Sequence, residues 1–221
     1  MKHIKAYVFQ NFETLAILSI ATISSIALLG LRLKITQSFF LIFLVWNLFL
    51  AAVPYIVSSY LESKNDINTF TLVAGSSMWL LFLPNAPYIL TDLIHLTNQS
   101  SVSIVIDGII ISAFALSGLL FYLYSVRQMM KIFERKFSKK IVRVIKFMIP
   151  FLSGYGIYLG RFERWNSWNI AQNPLGLLNN VLTSFIDESK IGLVITTTVF
   201  IGSILLITNY LFIRYISKQT I

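Results

Sequence analysis

Five stretches of this chain, 12–31, 39–60, 104–124, 141–160 and 191–213, each hold around twenty predominantly apolar residues. That is the length a helix needs to cross a hydrocarbon core about 30 Å thick at a rise of 1.5 Å per residue. Runs of this kind constrain the fold to an all-α, polytopic transmembrane helical bundle. The balance of the chain agrees: 56% of residues are hydrophobic, 12% are charged and the mean hydropathy is +0.75, well outside the usual composition of a soluble domain. The whole of 1–221 reads as one integral membrane domain in the lipid bilayer.

A sixth apolar run, 70–83, is different. Its fourteen residues make only about 21 Å of helix. It is followed by Pro84 and Pro87, each of which removes a backbone donor and biases the residue before it, Leu83 or Ala86, away from the helical basin. One reading is a helix broken at 84–87 that resumes to about residue 96, giving six spans; the other is a helix that ends at Leu83 with a short interfacial helix after it. In the first, Asn85 is the N-cap of the second half, whose amides face the break. Tyr88, Asp92, His95 and Gln99 then fall at i, i+4, i+7 and i+11, one face of an α-helix. Broken helices at membrane depth are where transporters build binding sites.

The flanks set the topology. Residues 1–10 carry Lys2, His3 and Lys5, and the run behind them is longer than a signal peptide core, so a retained first helix is expected. Glu13 is interfacial at its start. Arg32 and Lys34 make a short connection, Pro54 kinks or tilts the second span, and Asn47 is a candidate interhelical hydrogen bonder. The segment 127–146 packs Arg127, Lys131, Arg135, Lys136, Lys139, Lys140, Arg143 and Lys146 against one acid, Glu134. It reads as a cytoplasmic loop and as a patch for anionic lipid. Gly156 and Gly160 allow close helix approach in the fifth span, and Asn173-Pro174 opens an interfacial helix over 174–187. With six spans, placing both termini in the cytoplasm puts thirteen of the 18 Lys and Arg residues inside. That bias favours a cytoplasmic-membrane protein with both termini in.

On this topology Asp107, the 88–99 helix and the stretch 161–169 all lie at the extracytoplasmic face. Arg161 and Arg164 run against the positive-inside bias there, so they are expected to have partners, with Asp92, Asp107 and Glu163 available. Asp92 and His95 form a candidate acid/base pair, or alternatively a capping cluster. With no cysteine and two histidines, neither a metal nor another cofactor is expected. Were the fifth helix to continue, Arg161 and Arg164 would share a face with Trp165 and Trp168, an anion clamp with indole walls rather than a plain aromatic belt, since Asn166, Ser167 and Asn169 sit among them. The net charge of +9 belongs to membrane topology, and no nucleic-acid partner is expected.

Leu83-Pro-Asn-Ala-Pro-Tyr-Ile-Leu-Thr-Asp-Leu-Ile-His95 and Tyr155-Gly-Ile-Tyr-Leu-Gly-Arg-Phe-Glu-Arg-Trp-Asn-Ser-Trp168 resemble the two hallmark segments of a family of uncharacterised bacterial multi-pass membrane proteins, domain of unknown function 1361. The resemblance implies no activity. It marks Pro84, Asn85, Pro87, Tyr88, Asp92, His95, Gly160, Arg161, Arg164, Trp165, Asn166, Ser167 and Trp168 as residues to test.

The expected function is binding, or helping to move, a polar or anionic small solute or lipid headgroup in an outer-face pocket. Asn85, Tyr88, Asp107, Arg161, Glu163, Arg164, Trp165, Asn166 and Trp168 are its ligand-binding candidates, and Asp92 and His95 its proton-exchanging or orienting pair. The alternatives are an envelope enzyme acting on a lipid-linked substrate through Asp92 and His95, and a structural or accessory subunit of a membrane complex. The sequence leaves the oligomeric state open.

Overall fold

The computed structural model describes residues 9–64, 66–98 and 101–219. Lys2, His3, Lys5 and Gln99, named above, lie outside them. All regular structure among the described residues is helical. The chain divides into two compact units, Met1–Ile132 and Phe133–Ile221. The first contains α1 (Phe12–Thr36), α2 (Phe43–Glu62), α3 (Thr69–Phe82), α4 (Asn85–Tyr88), a 3-10 segment (Ile89–Asn98) and most of α5 (Ser101–Lys136). The second contains the end of α5, then α6 (Lys139–Arg161), α7 (Asn169–Gln172), α8 (Pro174–Ile186) and α9 (Glu188–Gln219).

Five of these helices, α1, α2, α5, α6 and α9, are long and apolar enough to cross a membrane. Ile20, Ile23, Phe49, Phe70, Phe147 and Phe200 all stand exposed. Apolar surface on this scale is stable against acyl chains and not against water. The protein is a multi-pass membrane protein.

In the first unit, α2 and the 69–98 segment run antiparallel. A Cβ at Gly75 would meet Leu61 near the end of α2, while Asp92 bonds to Asn47 near its start. The broken segment therefore follows α2 for about 20 Å, continuing along it beyond the end of α3 at Phe82. Helix α5 packs along the same segment, with Gly118 against the Ala86 carbonyl, which a Cβ at 118 would strike. Polar side chains pin these apolar surfaces together: Trp79 Nε1 donates to Ser125 Oγ at 2.6 Å, and Ser58 Oγ to Gln128 Oε1 at 2.7 Å. Ser25 and Ser117 share a buried hydrogen bond between α1 and α5. In the second unit, α6 and α9 approach so closely that a Cβ at Gly154 would lie 2.8 Å from the Thr198 carbonyl oxygen.

Several expectations are corrected. Helix α1 runs past Arg32 and Lys34 to Thr36 and stops at Gln37, in the left-handed conformation at φ 52°. The basic segment 127–146 is not a loop: α5 and α6 cover it apart from the Phe137-Ser138 junction. Lys and Arg are good helix formers and no Gly or Pro interrupts them; Ser138 caps α6. The prolines do not expel Leu83 from the helical basin, where it has φ −55° and ψ −39°. Pro54 lies inside α2 without ending it. The Asn173-capped, Pro174-led helix forms as expected, with Leu175, Leu178, Leu182 and Ile186 exposed along it.

Candidate functional site

The break at 83–88 is an exchange of hydrogen-bond partners. Pro87 has no N–H for the Leu83 carbonyl, and the Ala86 N–H turns to it at 3.2 Å. That leaves the Phe82 carbonyl, the normal partner of residue 86 in an α-helix, and the Asn85 side-chain amide donates to it at 2.9 Å. Asn85 is thus not the N-cap of a new helix; Pro84 holds that position. Its amide closes the end of α3, which a buried break requires because an orphaned carbonyl there is costly. Leu83, Ala86 and Ile89 are fully buried around it.

Beyond Tyr88 the chain tightens to a 3-10 helix. At three residues per turn, positions 89, 92 and 95 share one face, and Tyr88 falls off it, so the expected α-helical face through 88, 92 and 95 is not formed. Asp92 is 1% exposed, and its Oδ2 accepts from Asn47 Nδ2 at 3.0 Å. The side chain of His95 lies outside the described residues.

Asp107, on α5, is also buried, and meets a cation from α1. Arg32 Nε donates to Oδ1 at 2.9 Å and Arg32 Nη2 to Oδ2 at 3.1 Å, while Nη1 reaches the Ser38 carbonyl at 2.6 Å. The two side chains are 3% and 2% exposed. The bidentate fork is the strong form of this interaction.

In the second unit, α6 ends at Arg161, and 162–168 is a turn. The expected shared helical face of Arg161 and Arg164 is therefore absent. Arg164 instead occupies the left-handed region at φ 58°, where a side chain other than Gly, Asn or Asp is rare. The turn is locked on both sides of it. Trp165 N–H donates to the Leu159 carbonyl at 3.0 Å, and Asn166 N–H to Asn169 Oδ1 at 2.6 Å, with Asn169 N–H returning to the Asn166 carbonyl at 2.9 Å.

Glu163 anchors the turn from below. Its Oε1 accepts from Tyr158 Oη and Lys190 Nζ, and its Oε2 from Asn180 Nδ2, each at 2.9 Å. The Lys190 ammonium, then the Asn180 amide, hold the Glu163 carboxyl below the usual carboxylate range despite its burial. Tyr155 joins α8 to the same helix face, bonding Ser184 at 3.0 Å and stacking on Phe185. Glu163, a ligand candidate on sequence, has both oxygens engaged by side chains of α6, α8 and α9. Tyr158, Asn180 and Lys190 were not legible as its partners, since they come from three elements with no common spacing. What the turn offers outward is an exposed Arg164 with no hydrogen bond or ion pair among the described residues, set beside Trp165 and exposed Trp168.

No curated protein and no solved structure matches the chain. One family model does, described as a protein of unknown function (DUF1361), over residues 46–205, a stretch that contains both the proline break and the 161–169 turn. The chain belongs to that family.

Proposed function

We propose that this membrane protein binds an anionic headgroup or small anionic solute at its 161–169 turn, with Arg164 as the anion-contacting residue and Trp165 and Trp168 as the apolar flank. We place this turn at the extracytoplasmic face on the Lys and Arg bias. The observation that carries the reading is Arg164 itself. A left-handed arginine costs about 1–2 kcal/mol, and such strain gathers where a side chain has to be aimed. Here a fully bonded Glu163 and a locked Asn166–Asn169 turn hold a cation outward with no internal use for it. Arg161, closing α6, supplies a second guanidinium to the same segment.

The enzyme alternative draws no comparable support. Asp92 is buried with Asn47 on one oxygen, which favours its role in fixing the break and the structural reading of that segment.

Arg164→Gly tests the proposal, because it removes the cation and relieves the strain together. The purified variant should gain up to roughly 1 kcal/mol of stability, reduced by glycine's larger unfolded-state entropy. It should lose at least tenfold in affinity for glycerol phosphate measured by calorimetry in detergent. Unchanged affinity with raised stability would remove Arg164 from ligand binding.

A further inference from the structure

At the other end of α6 a cavity of about 480 Å³ lies between α6 and α9, within the size range of ligand pockets. Arg143, Lys146 and Phe147 face it from α6; Leu206, Asn209 and Arg214 are among the residues facing it from α9. No acid lines it, and none of the three cations has an ion-pair partner among the described residues. Asn209 is 6% exposed, yet its side-chain amide makes no hydrogen bond among the described residues. What remains accessible of that amide opens onto this space, which Arg143, Lys146 and Arg214 also line.

We infer that this cavity is a binding site for one anionic glycerophospholipid. Its phosphate would take Arg143, Lys146 and Arg214 as charge partners and the Asn209 amide as a donor. Arginine suits a phosphodiester because its planar fork donates two parallel bonds. The acyl chain would lie along Phe147 and Leu206, and this is why the occupant is a lipid and not free phosphate: the site sits in the ends of two apolar helices, and the space exceeds what a phosphate group fills. The inference sharpens the expectation of a basic lipid patch over 127–146. Of its eight basic residues only Arg143 and Lys146 enter the cavity, and they are completed by a residue from α9. It is independent of the proposal for Arg164, which concerns the opposite end of α6.

The full chain, purified in detergent, tests it with dioleoyl phosphatidylglycerol, dioleoyl phosphatidylcholine and inorganic phosphate as separate probes. Native mass spectrometry and thermal shift should show phosphatidylglycerol retained and stabilising, with the other two at least tenfold weaker. Arg143→Gln with Arg214→Gln, and separately Asn209→Leu, should abolish the preference; Arg135→Gln with Lys139→Gln removes the same charge outside the cavity and should leave it intact. Arg143→Lys with Arg214→Lys keeps the charge and should weaken retention severalfold, which serves if the glutamine pair fails to fold. Retention unchanged in the Asn209→Leu and Arg-to-Gln variants would overturn the proposal. So would equal loss in the Arg135/Lys139 control, or inorganic phosphate matching the lipid.

Discussion

At the scale of single residues, the most consequential side chain is Arg32. On sequence it is a charge near the end of an apolar run, which reads as a turn; in the folded chain it is 4% exposed and forked onto Asp107, 75 residues away. Nothing local announces this, because its partner is set by how α1 meets α5. Burying the pair has a desolvation cost that the fork and the Ser38 carbonyl offset, and the asymmetry shows on mutation: removing one partner strands the other charge. Arg32→Leu should therefore cost roughly 3–5 kcal/mol, read as a lower thermal midpoint in detergent. Arg32→Leu with Asp107→Leu should recover most of the loss. A double variant as unstable as the single would end the argument that the stranded carboxylate is what destabilises. The same contact accounts for Asp107: an acid in an apolar run signals that something polar meets it, but not whether that is a ligand or the chain itself.

At the scale of elements, legibility followed the reach of the signal. The proline break and the Asn173-Pro174 start of α8 were readable because proline and cap chemistry act within a few residues. The Asn85 side-chain bond to the Phe82 carbonyl and the 3-10 pitch beyond Tyr88 were not, since the proline spacing that marks the break dictates neither. The continuation of α5 and α6 through the basic segment is hidden by its charge density, which suggests a loop although it is compatible with helix. Glu163 is the element-scale counterpart, tying the turn after α6 to α8 and to the start of α9. Its carboxyl is held below its ordinary value by Lys190 first. The folded form therefore releases its proton more readily than the unfolded form, and the unfolded state binds more protons as pH falls below about 4.3. The stability this supplies is fully present above that value and is lost as pH drops through the lowered folded value. Asp187, lowered through its hydrogen bond to Ser189, contributes in the same direction, so the wild type alone does not isolate Glu163. Thermal midpoints of wild type and Glu163→Gln in detergent should differ most near neutral pH and converge on acidification. A difference that stays constant down to pH 3 would mean that ionised Glu163 is not what fastens α8.

At the scale of the whole molecule, five long apolar helices and one broken segment leave the number of crossings to the stretch 69–98. Its prolines alone were equally compatible with a helix that stops at the interface. The side-by-side run with α2, from Gly75 at Leu61 to Asp92 at Asn47, supports a segment that traverses, since it keeps pace with a helix long enough to cross. Six crossings return both described ends to one side of the membrane; five would separate them. The absence of cysteine makes this a clean measurement by single-cysteine labelling in intact cells and inverted vesicles. Gln10→Cys, Ser138→Cys and Lys218→Cys should react from the cytoplasmic side and Asn166→Cys from the other. Opposite labelling of positions 10 and 218 would reduce the count to five and turn the broken segment into an interfacial one. Opposite labelling of positions 138 and 166 is required by α6 in either case. If 138 labels from outside instead, the basic face and its cavity exchange sides with the Arg164 turn, and the orientation drawn from the Lys and Arg bias is wrong.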